Sequence, residues 1–177
     1  TRKIKITLAQ MLAATGNAVG ARARVEEVLV EDPTNVESLK MRAAWLVEDD
    51  KPGDAIVDLR SALDQAPRDA AILTLMAHAH ERDGSPELAG ERLALAVEVS
   101  GSAPDESLRY ARFLVRDGRT DPAIAVLVDA ARATPGNLAI LTALASVVRT
   151  TVDRDGQRIV GCNFIHELPE PHLERLL

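Results

Sequence analysis

The chain has 177 residues, 46% of them hydrophobic and 2% aromatic, and a formal net charge of -6. That apolar content excludes a mostly disordered chain. The acidic balance, with no basic stripe, argues against a general nucleic-acid binder, and no apolar run approaches the roughly 20 residues that span a bilayer.

Alanine and leucine dominate where a sheet sandwich would use β-branched and aromatic residues, so closely packed helices are expected. The chain starts at Thr1 with no signal-like segment, which reads as a processed protein or a fragment of a longer one. A soluble protein is expected, cytoplasmic or periplasmic, and the alanine-rich acidic composition points to a bacterial source. Cys162 is the only cysteine, which excludes an intrachain disulfide framework and a cysteine-rich metal site.

In chain order, a first helix is predicted around Ala9 and Leu12, a turn at Gly16, and a second helix through Ala21, Val25 and Val28 that closes at Pro33. A step of 34 residues lands on the same features: Ala43 and Leu46, then Asp50 with Gly53 after it in place of the turn glycine, then Ala55, Leu59, Ala62 and Pro67. The third copy runs through Ala77, His80, Gly84, Ala89, Leu93 and Ala96, with Gly101 where the others have proline. The fourth runs through Ala111, Leu114, Gly118, Ala123, Leu127, Ala130 and Pro135, and one more step reaches Ala145 and Val148. An ungapped repeat of this length is the sequence signature of a stacked array.

Each copy reads as a hairpin of two helices. In the third, the first helix is expected from about Asp69 to Arg82, and Ser85-Pro86-Glu87 starts the second with a hydroxyl cap, a first-turn proline and an early acid. Lys51-Pro52 and Thr120-Asp121-Pro122 do similar work in the second and fourth copies.

This pattern resembles the tetratricopeptide repeat: a length of 34, small residues at positions 8, 20 and 27, a large apolar residue at 24 and proline at 32. The copies span 2–35, 36–69, 70–103 and 104–137, with an extra helix over 138–150. Position 4, often tryptophan in that family, holds Lys5, Leu39, Leu73 and Ser107 here. The resemblance implies an all-α, right-handed superhelix of four hairpins plus one helix. It also implies a non-catalytic scaffold that holds a partner protein or peptide on the concave face lined by first helices.

Positions 2, 5, 9 and 12 line that face in the family. They put Glu37, Lys40, Ala44 and Val47 in the second copy's share, Thr74, His78 and Glu81 in the third's, and Asp105, Leu108, Arg112 and Val115 in the fourth's. A subset of the family grips chaperone C-termini with a carboxylate clamp. Lys40 and Arg109 match that clamp, while Ala44, Leu75 and Asp105 depart from it, the last placing an acid where the clamp has lysine. The candidate groove is therefore Lys40, Ala44, Thr74, His78, Glu81, Asp105, Arg109 and Arg112.

No cofactor or metal site is expected. His78 and His80 point about 200° apart on a helix and cannot share a metal, and His80 falls where Leu46 and Leu114 pack. Cys162 and His166 lie about 13 Å apart on a strand, too far for a nucleophile and its base. "VDRDGQ", 152–157, lacks the spacing of a calcium loop and reads as a hairpin turn at Asp155-Gly156.

After Thr150 the step fails, and residues 151–177 read as a β-containing tail: a hairpin or strand and then a short helix. "GCNF" with the turn and helix after it is similar to the end of a PilZ domain. The nucleotide determinants of that family, R-x-x-x-R and D/N-x-S-x-x-G, are absent. The tail is open to three readings: a cap on the stack, a piece of a second domain that would couple the repeats to cyclic-di-GMP, or a strand through which two copies dimerise.

Overall fold

The computed structural model describes residues 1–150, with side chains to Val148. The tail readings, Cys162 and His166 lie outside the described residues. Every element among the described residues is an α-helix: α1 (Arg2–Ala14), α2 (Ala18–Glu31), α3 (Val36–Glu48), α4 (Pro52–Gln65), α5 (Ala70–Arg82), α6 (Pro86–Ser100), α7 (Pro104–Arg116), α8 (Thr120–Ala133) and α9 (Leu138–Thr150). They fall into two compact units, one from Thr1 to Ala96 and one that begins at Val97. In the first, α1 packs on α2, α3 on α4, and α2 and α4 on the helices that follow them; in the second, α7 packs on α8 and α8 on α9.

One turn geometry recurs inside the hairpins. The amide of Asn17 donates to the carbonyl of Leu12, Lys51 to Leu46, Ser85 to His80 and Arg119 to Leu114, all at 2.8–2.9 Å. This five-residue reach requires a left-handed residue just before the donor. Gly16, Gly84 and Gly118 supply it at φ of 82°, 75° and 76°, and in the second hairpin Asp50 supplies it at 58°. The expectation that Gly53 replaces the missing glycine is thereby corrected: Gly53 lies in the first turn of α4, and an aspartate, whose short side chain tolerates this region, makes the turn.

First helices are started by a recurring Asx cap. Asn35 accepts from the Ser38 amide, Asp69 from those of Ala71 and Ile72, and Asn137 from that of Ile140. The fourth copy has Ala103 there and starts instead with Pro104, followed by Asp105 and Glu106. Asp69 is thus a cap rather than the first helical residue. Likewise α8 begins at Thr120 with Arg119 in the cap position and no side-chain cap, so Thr120 does not start the helix as a hydroxyl cap.

The alanines at the repeat's small-residue positions are buried. Ala9, Ala43, Ala21, Ala55, Ala89 and Ala123 have no exposed surface, and Ala77 and Ala111 have 1% and 3%. Leucine, valine and isoleucine fill the spaces beside them, with Leu39, Leu59 and Ile72 buried in the first unit and Leu127, Ile140 and Leu144 in the second. His80 is buried with them, at the packing position read from its leucine equivalents.

Candidate functional site

On each first helix, one stripe is core and another is left open. In α5, Ile72, Leu73, Met76, Ala77, Ala79 and His80 are buried, while Ala71 and His78 are exposed and Thr74 and Glu81 half-buried between them. The spacing of the open set, near i, i+3, i+7 and i+10, keeps it on one side of the helix. In α3, which packs beside α5, Glu37 is exposed and Lys40 and Ala44 are half-buried. Lys40, Ala44, Thr74, His78 and Glu81 therefore belong to neighbouring helices of one unit. Val47 does not join them: it is 2% exposed and part of the core, so position 12 of the second copy faces inward.

Lys40 is already engaged. Its ammonium donates to Glu37 at 3.1 Å and to Asp69 at 3.3 Å, and Asp69 is also the cap of α5. Partial burial on its own would lower the Lys40 pKa, but the hydrogen bond and charge of Glu37, joined by Asp69, hold it above the ordinary lysine value. The residue is a fixed cation with two carboxylates on it, which spends the charge a carboxylate clamp would need. In the same patch the Thr74 hydroxyl is buried without a hydrogen-bond partner among the described residues.

The second unit offers different chemistry. Asp105, Arg109 and Arg112 of α7 are all exposed, and neither arginine has an ion pair among the described residues. Helix α9 packs beside α7 and shows Ala139, Thr142 and Ser146 to solvent. Two free guanidinium forks near small hydroxyl residues can take up carboxylates and peptide carbonyls.

The sequence reading missed an ion-pair centre in the first unit. Arg42 of α3 bonds Asp58 of α4 through two nitrogens, at 2.7 and 2.8 Å, and Glu26 of α2 at 3.2 Å. It lies on the packing side of α3, where an arginine joining three helices is structural.

No protein-family model and no curated protein matches this chain. Solved structures do. The crystal structure of MamA aligns with a TM-score of 0.71 at 19% identity, over 98% of this chain and 91% of that one. TTC0263, a thermophilic tetratricopeptide-repeat protein in Thermus thermophilus, aligns at 0.66 and 19%, over 99% and 97%. YrrB, a tetratricopeptide-repeat protein described as having an unusual peptide-binding site, aligns at 0.65 and 15%, over 97% and 89%. The chain has the tetratricopeptide-repeat fold.

Proposed function

We propose that this chain is a non-catalytic scaffold that holds a partner protein or peptide on the open stripes of its first helices. What carries the reading is the uncovered stripe itself: the same helices bury one side completely and leave polar and charged residues of mixed sign on another. Lys40, Ala44, Thr74, His78 and Glu81 would line the stripe of the first unit, and Asp105, Arg109 and Arg112 a separate stripe of the second. The free guanidinium groups would give the strongest single contacts, and Lys40 would act mainly by ordering α3 against α5. The fold is shared with YrrB, whose peptide-binding site is a property of that protein and supports the reading only by likeness of fold.

The intact chain used as bait in a bacterial lysate, beside a Lys40→Ala, His78→Ala, Arg112→Ala variant, tests it. Recovery of a partner is expected to fall at least about tenfold, near 1.4 kcal/mol. Equal recovery by the variant removes these residues from the site. A regulatory reading, with the repeats coupled to a PilZ-like element in 151–177, is separated by calorimetric titration of the full chain with cyclic-di-GMP, where a flat isotherm removes direct sensing.

A further inference from the structure

One step of the repeat reverses the charges of the ion-pair centre in the first unit. In that centre Arg42 of α3 stands in the middle, with Glu26 of α2 at 3.2 Å and Asp58 of α4 at 2.7 Å. One step of 34 residues on, the same three repeat positions hold Arg60 of α4, Met76 of α5 and Arg92 of α6. Acid, cation and acid become cation, thioether and cation.

Side-chain length inverts with the charge. In the first centre one long guanidinium side chain reaches two shorter acids, whereas in the second two long arginines hold the outer places and Met76, 2% exposed and uncharged, holds the middle. The central charge is missing.

Neither arginine is neutralised elsewhere among the described residues. Arg24, at the repeat position of Arg92 in the first copy, pairs with Glu27 one turn on at 2.8 Å, but Arg92 has Leu95 and Ala96 there. Its Nε is buried without a hydrogen-bond partner. Arg60 is exposed and has Asp64 one turn on, yet it makes no ion pair with that acid.

Both arginine charges bear on one neighbour. His80 of α5 is 4% exposed with Nδ1 unpartnered among the described residues; after burial, the charges of Arg92 and then Arg60 hold its pKa down, against the pull of Asp83 and Glu91. Two cations, from α4 and α6, thus act on a single imidazole.

We propose that Arg60 and Arg92 bind a phosphate dianion, which fills the central place that Arg42 fills one repeat earlier. Charge selects phosphate: with close to two negative charges at neutral pH it matches two guanidinium forks, each able to bond two of its oxygens, while a carboxylate offsets only one. The site uses none of the open-stripe residues, and the exposed Arg60 gives it access to water.

The test titrates the full chain with phosphate at constant ionic strength and follows the ring signals of His80 by NMR, assigned with His80→Leu. Inorganic phosphate is expected to bind with a Kd on the order of 1 mM, and to raise the His80 pKa because the anion offsets both arginine charges. Acetate should bind at least about tenfold more weakly. Arg60→Gln and Arg92→Gln should each weaken phosphate binding about tenfold, whereas Arg24→Gln, which removes a paired arginine from the same repeat position, should leave it unchanged. Phenyl phosphate identifies the source: the tighter of it and inorganic phosphate shows whether a phosphoester or free phosphate is held, and either result supports the site.

Met76→Glu supplies the central charge from within the chain. It is expected to abolish phosphate binding and to melt above Met76→Gln, the reverse of the usual order for a buried acid and a buried amide. Circular dichroism checks the fold of each variant. No phosphate binding, equal binding of acetate, an equal loss in Arg24→Gln, or Met76→Glu melting below Met76→Gln would overturn the proposal.

Discussion

The junction of α2 with α3 and the junction of α8 with α9 occupy the same repeat positions and are held by different chemistry. At the first, Arg42 of α3 pairs with Glu26 of α2 at 3.2 Å, and Arg22 pairs with Asp49 at 2.6 Å while covering Trp45. At the second, Ile140 and Leu144 are buried, with Ile124 and Ala131 of α8 only 8% and 7% exposed. The step of 34 thus settles where two helices meet and leaves open what they use. A charged junction is directional and answers to salt, and an apolar one is neither.

The largest effect is expected at the apolar junction. Leu144→Ala removes a side chain that is 1% exposed and should cost about 3 kcal/mol, read as a lower midpoint in urea. About 1 M salt should leave that cost nearly unchanged. Next to the charged junction, Asp58→Ala strips from Arg42 its bidentate partner on α4 and leaves the guanidinium, whose side chain is 32% exposed, with Glu26 of α2. A fully buried pair broken on one side costs about 3–5 kcal/mol, and the exposure of Arg42 reduces this to about 2. High salt should shrink the difference between Asp58→Ala and wild type, and a salt-independent cost would show that packing, not charge, holds α3 to α4.

The hairpins were legible because small residues and turn glycines recur in register, a constraint written into single positions. Asp69 was read at the edge of a helix from its place before an apolar run, and the structure makes it the cap. The ion-pair centre was not legible. Arg42 finds Glu26 and Asp58 each 16 residues away on different helices, and nothing local marks which of many acids an arginine will meet. For the same reason Lys40, matched to a clamp by position, turned out to be tied to Asp69, 29 residues on. Position 12 told nothing reliable about Val47, since an apolar residue at the edge of a groove can turn inward.

His80 sharpens the comparison, because it is a polar residue placed in an apolar contact. Its equivalents are Leu12, Leu46 and Leu114, yet it is 4% exposed with Nδ1 unpartnered among the described residues. Burial first, then the charges of Arg92 and Arg60, hold its pKa below the ordinary imidazole value against the pull of Asp83 and Glu91. The unfolded chain therefore takes up this proton at a higher pH than the folded chain. Stability from this group is complete above the unfolded value, about 6.5, and falls as the pH drops below it toward the folded value. His80→Leu should flatten that slope between about pH 7 and pH 5 and raise stability at neutral pH by about 1 kcal/mol, by removing an unpaired buried nitrogen. Melting curves at the two pH values check it, and a slope that survives the substitution would assign it to other groups.

The smallest effect is expected in a turn, where the backbone rather than the junction is uniform. Asp50 adopts φ of 58° where the other three hairpins use glycine. Left-handed backbone costs an L-residue about 1–2 kcal/mol, less for aspartate. Asp50→Gly removes that cost, but it frees a chain end point that glycine leaves more disordered when unfolded and drops the 2.8 Å pair with Arg82, in which the Asp50 side chain is 79% exposed. An ion pair so open to water adds little. The balance should be a gain of about 0.5 kcal/mol, read as a small rise in the melting temperature. A loss instead would mean that the Arg82 contact, which links α5 to the turn between α3 and α4, holds more than its exposure suggests, and that even the uniform turns carry chemistry particular to their copy.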